Sequence, residues 1–227
     1  MKPIASKQPR RRANGRDYWI AFTNLEMNLS YISGFGANFV RWGIITWMIK
    51  ILAEPVAKGG FELSLFAAAT ITSMAHWGGA FLSVILGIVS DRLFKGKRWQ
   101  TIIIGFVLCA LPLFYIAQGP VILEYGSSLA LPWGLAVGLV LVGTALFISG
   151  GMVQAIQTPL FDLPGDILGA ELGGTGVGIM DGWMYVGASF AGVFLGWWLD
   201  TYGLLSGVSL MAAVSLVSGL AAALIRR

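Results

Sequence analysis

The chain has 227 residues, of which 56% are hydrophobic and 11% are charged, whereas a soluble domain carries about 25% charged residues. This composition excludes an ordinary water-soluble globular domain and is typical of an integral membrane protein. The net charge of +4 is small, so the positions of the charges carry more information than their sum.

Six apolar blocks are each long enough to cross a hydrocarbon core, which takes about 20 residues of helix. The strands of a membrane β-barrel would alternate polar and apolar residues over about ten positions, and these blocks do not alternate. The sequence therefore predicts an all-α membrane protein with a tail and interfacial helix at 1–28 and a six-helix transmembrane domain at 29–227. The predicted spans lie at 29–53, 63–90, 100–118, 131–157, 175–199 and 204–224.

The basic residues predict the orientation of the chain. Six of the fifteen Lys and Arg residues precede the first span, four lie at 92–98 and two end the chain. With six spans these groups fall on one side, which the positive-inside rule makes cytoplasmic. We expect a multi-pass protein of a bacterial inner membrane with both termini inside. Contact with anionic lipid is an alternative role for the tail, and we expect no nucleic-acid partner.

The first apolar stretch allows two registers. Residues 18–52 would form a helix of about 52 Å, which is longer than one bilayer crossing needs. A span at 18–40 would place Arg41 at the outer interface, whereas a span at 29–53 places it near the midplane, with residues 17–28 along the inner surface. Because Asn24, Glu26 and Asn28 are poor lipid-core residues, we expect the second register.

The predicted loops are short, at 54–62, 91–99, 119–130, 158–174 and 200–203. They leave no room for a soluble catalytic domain, so we expect a protein that is not an enzyme. Asp162, Asp166 and Glu171 lie in the fourth loop and are either solvated or partners of cations in the second. Cys109 and His76 are the single residues of their types, so the sequence predicts no metal centre and no cofactor.

The loop between the second and third predicted spans has a distinctive pattern, "GIVSDRLFKGKR". Asp91 at the end of one helix and several cations in a short turn can form a charged clamp. The G-x-x-x-D-R pattern followed by basic residues resembles the loop signature of the major facilitator superfamily. The resemblance implies a conformational gate loop, and its residues here are Gly87, Asp91, Arg92, Lys95 and Arg98.

Three stretches narrow the resemblance to the C-terminal half of the organophosphate:phosphate antiporters. "FVRWGIITWMIKIL" resembles that half's first helix, "SDRLFKGKR" its loop and "GGTGVGIMDGWMYVGASFAGVFLGWWLDTYG" its Gly-rich penultimate helix. The chain departs from the family at Trp42, where tyrosine is common, in a longer loop at 162–173, and in having no N-terminal half. The resemblance implies two inverted three-helix repeats and a midplane substrate site whose second wall comes from another half.

Arg41 is the leading candidate for substrate binding. Its guanidinium is always charged and its planar fork suits a phosphate or carboxylate. The resemblance matches it to the family's anion-binding arginine. The alternative is a structural ion pair with Asp181, the only acidic residue toward the middle of another predicted span, and the two roles are compatible if substrate competes with Asp181.

Three further polar residues lie inside predicted spans. His76 could donate to a phosphate, pair with Asp181 or carry a proton, although a lone histidine in an apolar helix is more often hydrogen-bonded to the backbone or a hydroxyl. Gln154 and Gln157 end the fourth span and could line a cavity, although an interhelical hydrogen bond is as good an interpretation.

We therefore expect a half-size transporter subunit that exchanges organophosphate or other small organic anions for phosphate by alternating access. Its partners would be membrane lipid and a second six-helix half, which is either another copy or a separate chain. The alternatives are a non-transporting structural or assembly subunit of a larger membrane complex, a sugar-phosphate sensor derived from a transporter, or a fragment of a longer transporter.

Overall fold

The computed structural model describes residues 14–94, 97–119 and 134–225, and the described chain is all-helical. No strand occurs within those ranges. Within the same described ranges, a short helix is followed by six long ones. The helices are α1 (Gly15–Thr23), α2 (Leu25–Ala53), α3 (Leu65–Leu93), α4 (Arg98–Ile116), α5 (Gly134–Ala155), α6 (Gln157–Tyr202) and α7 (Leu204–Ala223), with a 3-10 turn at Val56–Lys58. The predicted all-α class is thus confirmed.

Four helical stretches are long and apolar enough to cross a membrane: Leu65–Ser90, Arg98–Ile116, Val137–Tyr202 and Leu204–Ala223. Large apolar side chains also lie on the outside of the bundle, where Phe66 is 84% exposed and Val193 is 80% exposed. Exposure of this kind is costly in water but costs nothing against lipid tails. The chain therefore has the length, composition and surface of a helical membrane protein.

A break at Asn24 separates α1 from α2. The backbone at Asn24 is extended (φ −72°, ψ 123°), and its side chain accepts a hydrogen bond from the Met27 backbone N–H at 3.0 Å. Asparagine is a strong N-cap, so this residue ends one helix and begins the next. Residues 18–40 do not form one continuous helix, which favours the register at 29–53 over the alternative.

The predicted loop at 158–174 is wrong, because these residues are helical. They form the first part of α6, which has a kink at Gly169, where φ is 79°. The helical period is visible in its buried residues, which are spaced at i, i+3, i+4 and i+7: Leu160, Leu163, Pro164 and Ile167. Asp162, Asp166 and Glu171 lie on the exposed side of the same stretch. Because of these charged residues, the sequence analysis predicted a loop where the chain forms an amphipathic helix.

The long helices pack in a definite set of pairs. α2 packs against α6 and α7, α5 packs against α3 and α4, and α4 packs against α7. At the α2–α6 pair, Trp47 donates from Nε1 to the Ala191 carbonyl at 2.7 Å, and Lys50 pairs with Asp200 at 3.3 Å. Interhelical hydrogen bonds of this kind fix the relative rotation of two membrane helices.

Two of these pairs approach so closely that glycine is required at the crossing. A Cβ on Gly187 of α6 would collide with the backbone carbonyl of Phe35 on α2. A Cβ on Gly78 of α3 would collide in the same way with the backbone carbonyl of Phe147 on α5. Small residues let helix backbones meet in lipid, where no hydrophobic force drives helices together.

Candidate functional site

The candidate site is centred on Arg41, in the middle of α2. Arg41 lies twelve residues before the end of α2 at Ala53, or about 18 Å along the axis. Its Nη1 donates to Oε1 of Gln157 at 3.0 Å, and Nε2 of Gln157 donates to Oδ1 of Asn38 at 3.2 Å. The three side chains form a polar cluster, the Asn38–Arg41–Gln157 cluster, where α2 meets the start of α6.

The positive charge of Arg41 has no compensating carboxylate among the described residues. The guanidinium has five N–H donors, and the structure gives it one acceptor, the neutral amide of Gln157. Its Nε is buried and has no hydrogen-bond partner within the described chain. A buried donor without a partner costs about 1–3 kcal/mol, and more when it belongs to a charged group. The cluster is therefore electrostatically incomplete, and an anion would complete it.

Asp181 does not form the ion pair that the alternative interpretation of Arg41 required. It lies on α6 beyond the Gly169 kink and is half-buried. Within the described ranges, Asp181 has no hydrogen bond and no ion pair, and the salt bridges involve other residues. The acceptor that Arg41 finds instead is Gln157, because the start of α6 brings that amide beside α2.

Gln154 and Gln157 have different surroundings although they lie one helical turn apart. Gln154 donates from Nε2 to the carbonyls of Ala75 at 2.9 Å and Gly150 at 3.1 Å, and it packs against Gly79. Gln154 thus joins α5 to α3 by a hydrogen bond, as the alternative interpretation of this residue predicted. Only Gln157 joins Arg41.

His76 lies apart from the Asn38–Arg41–Gln157 cluster. It is exposed on the surface of α3, and no hydrogen bond joins it to any described residue. The backbone or hydroxyl partner expected for a lone histidine is therefore not formed in this part of the chain. In this arrangement His76 is available to a neighbouring molecule on the outer face of α3.

Of the predicted gate-loop residues, Arg98 makes the defined contacts. Its Nη1 pairs with Asp166 at 2.7 Å and its Nε with Asp162 at 3.5 Å, which ties the start of α4 to the first part of α6. Asp162 and Asp166 of the fourth predicted loop are therefore partners of the clamp, as one interpretation expected, whereas Glu171 is exposed and is not paired with Arg98. Arg92 is exposed, and a Cβ on Gly87 would meet nothing within 4 Å. Lys95 and the side chain of Asp91 lie outside the described residues.

Sequence reasoning missed Asn38, which is buried and accepts from Gln157. Its signal was present, because Asn38 precedes Arg41 by three residues and so shares its helix face. A search of the described residues for groups of three or more His, Cys, Asp or Glu that could hold a metal ion finds none.

The fold and this cluster define a class: a helical membrane protein with an arginine-centred polar cluster between two long helices. A scan against models of known protein families finds no match, and a search of curated proteins finds none either. The functional assignment therefore rests on the geometry of the chain itself.

Proposed function

We propose that the chain is one half of a major facilitator transporter of the organophosphate:phosphate antiporter type. It would cross the membrane six times through α2 to α7 and exchange small organic anions for phosphate together with a second half. The stretch Val137–Tyr202 has 66 residues, about 99 Å of helix, which is far too long for one span, so it would cross twice, as α5 and α6. With the other three apolar stretches this makes five crossings, and α2 would be the sixth. The basic groups at both ends and at 92–98 then lie on the cytoplasmic side.

An internal repeat in the packing supports this fold. We match α2 to α5, α3 to α6 and α4 to α7. Under this matching, the packed pair α2–α6 is equivalent to the packed pair α5–α3, and the pair α2–α7 is equivalent to the pair α5–α4. The pair α4–α7 corresponds to itself. Every one of these pairs is observed. Matched helices are three spans apart and so cross in opposite directions, as in an inverted repeat.

Individual contacts follow the same correspondence. A Cβ on Gly187 of α6 would collide with the backbone of Phe35 on α2. At the equivalent crossing, a Cβ on Gly78 of α3 would collide with the backbone of Phe147 on α5. Phe35 also packs against Phe190 of α6 with ring centroids 5.7 Å apart, and Phe147 packs against Phe81 of α3 at 6.3 Å. Phe190 follows its glycine by three residues, and so does Phe81. Two crossings built from equivalent residues favour descent from a duplicated three-helix unit.

The observation that carries the function is the uncompensated charge of Arg41. An arginine at mid-bilayer costs roughly 2.5–3.5 kcal/mol even on insertion scales, so its retention needs a reason. Cations elsewhere in the described chain have carboxylate partners, as Arg98, Lys50 and Lys58 do, or lie exposed near helix ends. Arg41 has neither. A phosphate or carboxylate oxygen would satisfy its charge and its buried Nε together.

A partner half is part of the proposal because this chain would form only one side of the substrate site. Six helices supply one wall of a midplane cavity, and alternating access requires a second wall. His76 of α3 and Tyr185 of α6 occupy equivalent positions in the repeat, each two residues before the crossing glycine, and both are exposed. They support a second half docked across α3 and α6.

Exchange in proteoliposomes tests the proposal. The purified chain, with any co-purifying half, is reconstituted into vesicles loaded with phosphate, and uptake of radiolabelled phosphate is measured. We expect exchange in the wild type and its loss in Arg41→Lys, because a point charge cannot replace a bidentate fork. Arg16→Lys, an exposed arginine on α1, is the matched control and should keep the wild-type rate. Equal rates in the wild type and Arg41→Lys would refute the role of Arg41.

The same observation supports one other function, a sensor that binds an organic anion without moving it. The sensor would bind phosphate through Arg41 yet catalyse no exchange in the same vesicles. Mass measurement in mild detergent separates the two functions independently. A dimer or a complex with a second half supports transport, whereas a monomer that binds anions supports sensing.

A further inference from the structure

The short helix α1 carries an apolar surface that the described part of the bundle leaves uncovered. Of its nine residues only Asp17 and Ala21 are buried, and they form one stripe because they lie four positions apart. Elsewhere on the helix, Tyr18, Trp19 and Phe22 are 48%, 70% and 49% exposed. These three residues form the α1 aromatic face. A helix that is apolar outside its buried stripe needs a second apolar environment besides the bundle.

Two hydrogen bonds hold α1 against the start of α2. The Tyr31 hydroxyl donates to the Ala21 carbonyl at 3.2 Å, and Nδ2 of Asn28 donates to the Phe22 carbonyl at 3.0 Å. In one continuous helix, Ala21 and Tyr31 would be about 15 Å apart along the axis, which is farther than a tyrosine side chain reaches. The extended backbone at Asn24 removes this separation. Helix α1 therefore turns away from the α2 axis, and it also packs against α6.

The place of α1 in the chain and its aromatic residues indicate the headgroup region of a membrane. Helix α1 directly precedes α2, which would make the first crossing, so α1 lies where that helix leaves the hydrocarbon core. Trp and Tyr are enriched at this depth, because their rings are apolar while the N–H or O–H group reaches water and headgroups. A short helix with such a face lies in the plane of the membrane surface.

The charges in this part of the sequence favour a lipid with a negative headgroup. The acidic residue of α1, Asp17, is buried, and its Oδ2 accepts from the Asn14 backbone N–H at 2.8 Å. The residues that precede the helix include no Asp or Glu but five cations: Lys2, Lys7, Arg10, Arg11 and Arg12. Each cation near an anionic membrane surface raises the affinity about fivefold, whereas a zwitterionic surface offers no such gain.

We propose that α1 is a binding element for anionic lipid. Its aromatic face lies among the headgroups, and the positive charge of the preceding residues concentrates lipids of net negative charge, such as phosphatidylglycerol, around it. The proposal rests on the membrane crossing by α2 and not on anion exchange. A chain that exchanges no phosphate would still bind lipid at α1, so the two proposals fail separately.

Fluorescence quenching of the full-length chain in lipid nanodiscs tests the position of α1. Trp19→Cys is labelled with a thiol-reactive dye, and because the native Cys109 is buried the dye reports on position 19. We expect quenching by phosphatidylcholine that carries a nitroxide near its headgroup, and protection from iodide in the water. Lys58→Cys, in the exposed 3-10 turn, is the aqueous control and should be quenched by iodide. If Trp19→Cys does not fold, Phe22→Cys gives the same readouts.

The lipid preference is measured with the same dye at position 19. Nitroxide-labelled phosphatidylglycerol should quench it at a mole fraction at least about fivefold lower than the phosphatidylcholine analogue, the gain expected from a single cation. Replacement of Arg10, Arg11 and Arg12 together by Gln should reduce this preference, and so should salt at about 1 M. Lys97→Gln, which removes an exposed cation just before α4, is the matched control and should keep the preference.

Three results would overturn the proposal. Equal iodide quenching at positions 19 and 58 would show that α1 lies in water. Protection from iodide without quenching by the lipid nitroxide would show that protein, and not lipid, covers the α1 aromatic face. Equal quenching by the two lipids, or a preference that is the same in the triple Gln variant and in Lys97→Gln, would show that the positive charge before α1 does not select anionic lipid.

Discussion

Substitution of Gly187 by alanine tests the helix packing on which the repeat depends. The added Cβ would overlap the Phe35 backbone carbonyl, so α2 and α6 must separate. Neither partner can yield by rotating a side chain, since the obstacle is backbone. Overpacking of this kind costs about 1–3 kcal/mol, which corresponds to a fall in Tm of roughly 2 to 12 °C for a chain of this size. Gly78→Ala at the equivalent α3–α5 crossing should show a similar loss.

The control for this prediction lies in the same helix. A Cβ on Gly192 would meet nothing within 4 Å, so Gly192→Ala should keep or raise Tm, because alanine is the better helix former by about 1 kcal/mol. The assay is thermal unfolding of each purified variant in one detergent. If Gly187→Ala and Gly78→Ala were as stable as Gly192→Ala, the close approach of these backbones would be refuted.

Two further predictions concern the polar contacts. In a double-mutant cycle of Arg41→Met and Gln157→Leu, thermal stability should show a coupling of about 1.5–3 kcal/mol, the range for a hydrogen bond to a charged group; additive effects would contradict the Arg41–Gln157 bond. Arg98→Gln should destabilise by at most about 1 kcal/mol per lost ion pair, because both carboxylates are about half-exposed, and the loss should shrink as choline chloride rises to about 1 M. An effect that is unchanged by salt would show that Arg98 acts through packing.

The positions of the long helices could be predicted from sequence because hydrophobic length is a direct consequence of bilayer thickness. The six predicted spans each coincide with a long helix over the residues the structure describes. Asn24 was expected to lie outside the first span as a poor lipid-core residue, but the helix break that it forms as an N-cap was not predicted. The first part of α6 was missed because charge was given more weight than the spacing of Leu160, Leu163 and Ile167.

The partners of the site residues could not be predicted in the same way. Gln154 and Gln157 have the same side chain and lie one turn apart, yet only Gln157 reaches Arg41. The difference comes from the junction between α5 and α6, which rotates the two amides toward different neighbours. The pattern of polar and apolar residues in the sequence does not specify that rotation. Asp181 lies within a predicted span, and this position suggested an ion pair with Arg41. In the structure the two side chains form no ion pair.

The most direct test of the central claim is equilibrium binding of radiolabelled phosphate to the purified protein, because it measures the Arg41 site without requiring transport. The uncompensated guanidinium predicts saturable phosphate binding in the wild type that is abolished in Arg41→Lys and retained in Arg16→Lys. Phosphate binding of equal affinity in the wild type and Arg41→Lys, or no saturable binding to the wild type, would contradict the account.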